Sequence, residues 1–408
     1  MRRLLHHSIS FHYPLFPKRL RYLFIGHLLR GAAEEAVALF VPIFLFTLGS
    51  ELQIPFLNQY LLPLPWLLRG IVIIAAHFCL YRICALFLTL PLARFIKWIG
   101  LMKSMILGNL CSLFMFLSFY LSVNNAWFLL PATLFAAMQI ILYWIPYYTQ
   151  FAVRADFKLL GQEIGVIDFL NRLARAGLPM FGGIVIGVFG FQVSYAIGIL
   201  LMLASSICLL AVDEVKIAFN VTFREFIGWL RDRKKHRVLI GLFGKYLDDC
   251  AIGLWSVYIF IFLGTVQRVG YVYSVVLFSS LIIAYFMGWY LGKHRGRGVF
   301  FLTGGILSLL WMFRIFVQNL WHLIVVDLLD GLAINVYTPI YDLGLCLESR
   351  GRQVFHFYVF REMLLSIVGM IFWLVIIGMF VLPLQWIGVF VLGGVGILLS
   401  LNMMRREV

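Results

Sequence analysis

Ionisable residues sit inside apolar runs of this chain at spacings that place opposite charges on one helix face. Gly26-His-Leu-Leu-Arg30-Gly-Ala-Ala-Glu34 leads an apolar run to Gly49, and Gly241-Leu-Phe-Gly-Lys245-Tyr-Leu-Asp248-Asp249 leads another to Gly264. The two align without a gap 215 residues apart, so that Arg30 matches Lys245 and Glu34 matches Asp249. In each copy the cation precedes the carboxylate by four residues, one turn along the same face. A charge at the middle of a membrane helix costs about 2.5–3.5 kcal/mol on insertion scales, so such groups are usually kept for a function. Two chemistries suit a deep carboxylate. Desolvation raises a carboxyl pKa until the group can exchange a proton near neutral pH, and an ionised carboxylate can bind a cationic solute. The offset is close to half the chain and points to an internal duplication that keeps charge at matching depth.

Further charges divide by their surroundings. Asp327 and Asp330 lie at i and i+3 with no cation in the same apolar run, and join Glu34, Asp249, Arg30 and Lys245 as candidates for proton coupling or substrate binding. Asp168 and Arg172, with Arg175 on the same helical side, and Arg361 with Glu362 read first as ion pairs that hold helices together. Such partners offset part of the cost of burying charge. Arg82 and Arg314 stand as lone cations, while Glu35 and Asp248 point roughly 100° from their neighbours, toward other helices. His77 and His356 read as polar packing groups, with a relay role as the alternative. The chain has no Gly-Lys-Ser/Thr phosphate loop, no His-Glu-x-x-His and no other metal-ligand spacing. Its six cysteines stand singly in apolar runs and read as buried hydrophobes. No metal, cofactor or enzymatic activity is therefore expected.

The elements that position these groups follow from composition. Of 408 residues, 63% are hydrophobic, 17% aromatic and 12% charged, and the mean hydropathy is +0.97. Only an all-α polytopic membrane protein fits these values. At about 20 apolar residues per crossing, twelve transmembrane helices are expected. The first six cover 22–48, 67–92, 101–122, 126–151, 163–189 and 191–212; the second six cover 238–263, 269–291, 298–318, 320–345, 354–380 and 383–404. Of the 33 lysines and arginines, 24 fall on the termini and the loops after even-numbered spans, only Arg69 and Arg268 fall opposite, and seven lie within spans. Positive charge concentrates on the cytoplasmic side, so both termini are expected there. That asymmetry accounts for most of the net charge of +15 and removes the case for nucleic-acid binding. Residues 1–21 form a basic cytoplasmic N-terminus without a recognisable cleavable signal, 22–212 and 238–404 form two six-helix bundles, and 405–408 close the chain in the cytoplasm. Between the bundles, 213–237 contains Phe223, Phe226, Ile227 and Leu230 at helical spacing, followed by Arg231-Asp-Arg-Lys-Lys-His-Arg237. This linker is expected to hold an amphipathic basic helix along the cytoplasmic leaflet, with an ordinary basic connector as the alternative.

Short motifs add to this outline. Gly292-Lys-His-Arg295-Gly-Arg297-Gly298 follows the eighth span, and Ala93-Arg94-Phe-Ile-Lys97-Trp-Ile-Gly100 follows the second. The fifth span carries Gly177-Leu-Pro179-Met-Phe-Gly182-Gly183, where glycines permit close helix approach and proline bends the chain. Tyr143-Trp144-Ile-Pro146-Tyr-Tyr148 in the fourth span echoes Tyr337-Thr-Pro339-Ile-Tyr341 in the tenth, suiting either a gate or an interfacial aromatic belt. Two six-helix halves, Gly- and Arg-rich turns after the second and eighth spans, and a Pro-x-x-Gly-Gly element resemble the major facilitator superfamily (MFS). The turn after the second span lacks the family's acidic residue. The resemblance implies that the first and seventh helices line a central cavity from opposite halves, which would bring Glu34 and Asp249 toward each other across it. It further implies a secondary active transporter working by alternating access on a small solute. Proton coupling, export of an amphipathic compound and a monomer in a bacterial inner membrane complete that expectation. A lipid translocator, or a non-transporting protein with the same fold, is the alternative.

Overall fold

The computed structural model describes residues 18–154, 173, 176–214, 221–291, 296–349 and 354–404. Asp168, Arg172, Arg175, Gly292 and Arg295 fall outside them. Within the described residues all regular structure is helical, and ten segments are long and apolar enough to cross a bilayer. One of these, Leu178–Leu210, is broken at Gly190, whose φ of 83° and ψ of 171° form a backbone open essentially to glycine. There the fifth span gives way to the sixth. The helix Val266–Leu291 stands where the eighth is expected, and the described residues form an all-α polytopic membrane protein.

The first span departs from the single helix expected over 22–48. It runs from Lys18 to Ala36, loses helical geometry at Val37 (φ −126°, ψ −57°), tightens into a 3-10 turn over Ala38–Phe40 and resumes over Val41–Ser50. Pro42 explains the interruption, because it has no N–H to offer the Ala38 carbonyl; the Val41 amide takes that carbonyl instead. The fifth span grips the break. A Cβ at Gly182 would run into the Ala36 carbonyl and the Phe40 ring. The seventh span, by contrast, is one helix, His236–Leu263, ended by Gly264 in the left-handed conformation (φ 74°).

Prolines treat the fourth and tenth spans differently. Leu129–Gln139 passes through a π-helical turn, Ile140–Trp144, into Ile145–Arg154. Pro146 cannot donate to the Leu142 carbonyl, and the hydroxyl of Ser104 in the third span fills that place at 2.8 Å. Pro339 lies within the unbroken helix Leu320–Glu348.

Several contacts join the halves. Phe78 of the second span (Trp66–Ile99) stacks on Trp373 of the eleventh (Val354–Val381), with ring centres 4.9 Å apart. Gly183 and Gly270 let the fifth and eighth helices cross backbone to backbone. Phe46 meets Phe260 near the ends of the first and seventh spans farthest from the linker. On the linker side Tyr148 stacks on Tyr358, 5.2 Å between centres.

The linker helix, Phe223–Arg231, starts at a reciprocal capping box between Thr222 and Glu225. Its apolar side is occupied by protein. Phe226 is buried against Phe360, and Trp229 packs on Phe357 and Phe360 of the eleventh span. The turn after the second span finds its carboxylate elsewhere in the chain. Glu214, just past the sixth span, accepts the amides of Met102 (2.9 Å) and Lys103 (3.0 Å) at the start of the third helix. Gly100 there has φ 99°, and a Cβ on it would strike the Glu214 carboxylate. An anion at that helix N-terminus is favoured by the orphaned amides and the helix dipole. Arg94 and Arg297 lie at their expected helix ends, and Arg297 sits over the Phe301 ring.

Candidate functional site

The first-span cation is held by neutral groups. Arg30 is 1% exposed. Its Nη1 donates to Asn109 Oδ1 at 2.9 Å and Ser112 Oγ at 3.0 Å, and its Nη2 donates to Gln139. The guanidinium carbon lies 3.9 Å from the centre of the Tyr143 ring, a cation–π contact supplied by the π-helical turn. Its Nε is 3.0 Å from Glu34 Oε1, close enough for an ion pair but too far off the N–H direction for a hydrogen bond. Asn109 is itself oriented by Ser205, whose hydroxyl donates to the Gly26 carbonyl at 2.6 Å. Four helices therefore converge on Arg30.

The seventh-span cation is held by carboxylates. Lys245 Nζ lies 3.0 Å from Asp248 Oδ2 and also pairs with Asp249. Asp248 is buried and receives the indole N–H of Trp311, from the ninth span, at 2.8 Å. Asp249 has a side chain 53% exposed. The indole of Trp311 also serves a second cluster, with the guanidinium carbon of Arg314 3.8 Å from its ring centre. Arg314 Nη2 sits 3.2 Å from Asp330 and 3.8 Å from Asp327, and Trp255 Nε1 donates to Asp327 at 2.9 Å. The aspartates that lacked a cation in their own helix thus take one from the ninth span. Trp311, with its N–H on Asp248 and its ring under Arg314, therefore joins the two clusters. Fully ionised, their two cations face four carboxylates.

A cavity of about 290 Å³ lies between the halves. Its walls come from the first span at Ala38 and Val41, the second at His77 and Arg82, the fourth at Gln139, and the seventh at Tyr246 and Asp249. Asp249 reaches the cavity directly. Glu34 has a side chain 30% exposed but does not line this cavity, and the break at Val37 separates it from the Ala38 wall.

The expected pairing within the eleventh span takes a different form. Glu362 Oε1 accepts from Arg82 Nη1 of the second span at 2.7 Å, a buried ion pair between the halves, while Arg361 stands 5.0 Å over the Tyr148 ring. His77 Nδ1 lies 2.8 Å from the Thr133 hydroxyl. No group of three or more His, Cys, Asp or Glu among the described residues could hold a metal ion. Sequence reasoning missed Asn109, Ser112, Gln139 and the indoles of Trp255 and Trp311. The first three carried a signal, being polar residues inside apolar runs; the tryptophans carried none.

No family model matches the sequence, and no curated protein matches it either. Solved structures do. The human organic anion transporter MFSD10 superposes with a TM-score of 0.69 at 15% identity, over 95% of this chain and all of that one. The Escherichia coli fucose:proton symporter FucP gives 0.65 at 12% identity over 94% and 97% of the two chains. A bacterial homologue of the iron transporter ferroportin, in its outward-facing state, gives 0.66 at 12% identity over 95% and 98%. This chain has the major facilitator fold. In that frame the first and seventh spans are equivalent positions of the two halves, and their shared cation–carboxylate spacing falls on matching helices.

Proposed function

We propose that the chain is a secondary active transporter that moves a small amphipathic solute by alternating access. One observation carries the reading: Asp249, paired with Lys245 inside the bundle, opens onto a cavity whose walls come from both halves. Glu34 and Asp249 are the proton-coupling or charge-recognition pair, while Arg30 and Lys245 hold and tune them. Asp327 and Asp330 extend the second-half site, where four carboxylates face two cations and a proton is the smallest species that reduces the excess. The ring-rich cavity wall, with Phe78, Phe119, Tyr81 and Trp373, supports an amphipathic cargo. Export is the preferred direction, on the Pro179-Met-Phe-Gly182-Gly183 element. The protein acts as a monomer in a bacterial inner membrane with both termini cytoplasmic.

The test uses proteoliposomes loaded with a pH-sensitive dye and challenged with a panel of solutes. Solute-dependent proton flux is expected in the wild type and is expected to be lost in Glu34→Gln and Asp249→Asn. Flux unchanged in both variants removes the pair from coupling. The second reading, a lipid translocator, draws on an apolar crevice of about 330 Å³ between the eighth and tenth spans, with Arg268 at its edge. Movement of fluorescent lipid between leaflets of the same vesicles, without solute flux, would favour it.

A further inference from the structure

Arg82 was a lone cation in the sequence, and its surroundings give it a task that the coupling residues do not cover. The residue is 7% exposed and lies on the wall of the central cavity. Tyr81 and Tyr246 flank the guanidinium, their ring centres 4.5 Å and 4.7 Å from its carbon. Gly369 backs it, because a Cβ there would approach Arg82 Cγ to 2.9 Å. The slot fixes the plane of the guanidinium, while its polar edge is underused. Nη1 donates to Glu362 Oε1, and the buried Nε has no hydrogen-bond partner. A guanidinium offers five N–H donors in a fork that matches a carboxylate in two-point contact. Glu362 engages the fork through one oxygen only. Leaving buried donors of a charged group unmade is costly, and that cost is relieved by whatever acceptor fills them.

We propose that Arg82 is the recognition group of the cavity for a compact organic monoanion, an aromatic carboxylate by class, whose acid group takes the guanidinium from Glu362. The rings of Phe78, Phe119 and Trp373 receive the apolar body. Asp249 on the same wall repels a second acidic group, which restricts the ligand to one negative charge. Because Arg82–Glu362 ties the second span to the eleventh, the exchange also unfastens an ion pair between the halves. The proposal names the cargo of the transporter reading and rests on it for its meaning, but its test is binding to the purified chain.

The full-length protein in lipid nanodiscs would be titrated calorimetrically with benzoate, benzamide and benzylamine, which share one ring and differ in charge. Benzoate is expected to bind at least about tenfold more tightly than the other two, the amount one charge-assisted contact supplies. Arg82→Gln is expected to abolish the preference. Glu362→Gln removes the internal competitor and is expected to tighten benzoate by about tenfold. Terephthalate, a dianion of the same ring, is expected to bind only once Asp249→Asn has removed the repelling charge. Preference for benzylamine, no preference at all, or weaker benzoate binding in a folded Glu362→Gln protein overturns the proposal. If Arg82→Gln does not fold, the Glu362→Gln arm decides alone. Benzoate binding is independent of the flux assay: its failure leaves proton coupling through Glu34 and Asp249 standing, and unchanged flux in those variants leaves anion recognition standing.

Discussion

Arg30 and Lys245 occupy matching positions of a repeated helix, yet the protein treats them as different kinds of group. Arg30 is locked by Asn109, Ser112, Gln139 and the Tyr143 ring, all neutral, and pairs with the Glu34 carboxylate. Lys245 has two carboxylates within reach, Asp248 and Asp249. The same four-residue spacing therefore makes an anchor in one half and a charge-rich site in the other. The first-half copy is also interrupted three residues after its carboxylate, where the second-half copy runs on as an unbroken helix. The spacing matches while the surroundings differ, so equal spacing does not license equal roles.

The largest expected effect separates anchor from site. Arg30→Ala strands three polar side chains and an acid, and is expected to lower stability by about 3–5 kcal/mol, as breaking a buried charged network does. Lys245→Ala leaves Asp249 half exposed and Asp248 still bonded to Trp311, so a loss of no more than about 2 kcal/mol is expected. Thermal unfolding of the two purified variants in the same detergent measures the difference. Equal losses would mean that the two cations are alike after all.

Next in size is the link between the second-half clusters. Trp311→Phe keeps a ring under Arg314 but removes the N–H that Asp248 accepts. A cost of about 1–3 kcal/mol is expected for that buried acceptor. Combined with Lys245→Ala it should exceed the sum of the single losses, since Asp248 then has neither partner. Strict additivity in such a cycle would show that Trp311 serves packing alone.

The break in the first span offers a third test. Gly182→Ala pushes a methyl into the Ala36 carbonyl and is expected to cost about 1–3 kcal/mol, because the neighbouring atom is backbone and cannot swing aside. Gly253 of the seventh span aligns with Ala38 of the first and has nothing within 4 Å of a built Cβ. Gly253→Ala is expected to be neutral or stabilising by up to about 1 kcal/mol through helix propensity. If the two variants melt alike, the grip of the fifth span on the break is not what distinguishes the copies.

Much of this arrangement was legible in the sequence, and what was not has a common cause. Hydropathy located the spans, because no other structure satisfies backbone groups in hydrocarbon. The spacing of Arg30–Glu34 and Lys245–Asp249 gave their pairing directly, since i and i+4 meet on any helix. Partners on other helices depend on how the bundle packs. Glu362 follows Arg82 by 280 positions, and nothing local distinguishes it from a partner for adjacent Arg361. Arg314 stood beside the Asp327 and Asp330 run in sequence, but only the turn between the ninth and tenth spans brings them together. Glu214 likewise supplies the acid missing from the turn after the second span from more than a hundred residues away. The break at Val37 did have a local signal in Pro42, outweighed by the length of the apolar run.

The smallest expected effect concerns the linker, which extends the asymmetry beyond the repeated helices because its rings pack on the eleventh span of the second half. The hydroxyl of Thr222, and then its amide, donate to Glu225 and hold that carboxyl below the ordinary glutamate range. A carboxyl depressed by folding contributes its full stabilisation above the unfolded pKa and loses it as pH falls through the folded value. Amide protection in Phe223–Arg231, corrected for intrinsic exchange, is therefore expected to hold steady from neutral pH and decline only below about pH 4. Thr222→Ala should lower that protection at neutral pH by about 1 kcal/mol and flatten its pH dependence. The rings of Phe226 and Trp229 stay in place in that variant. If protection still falls with acid in Thr222→Ala, the helix is held by its packing on Phe357 and Phe360 rather than by its cap, and the linker is more firmly part of the second half than its capping box implies.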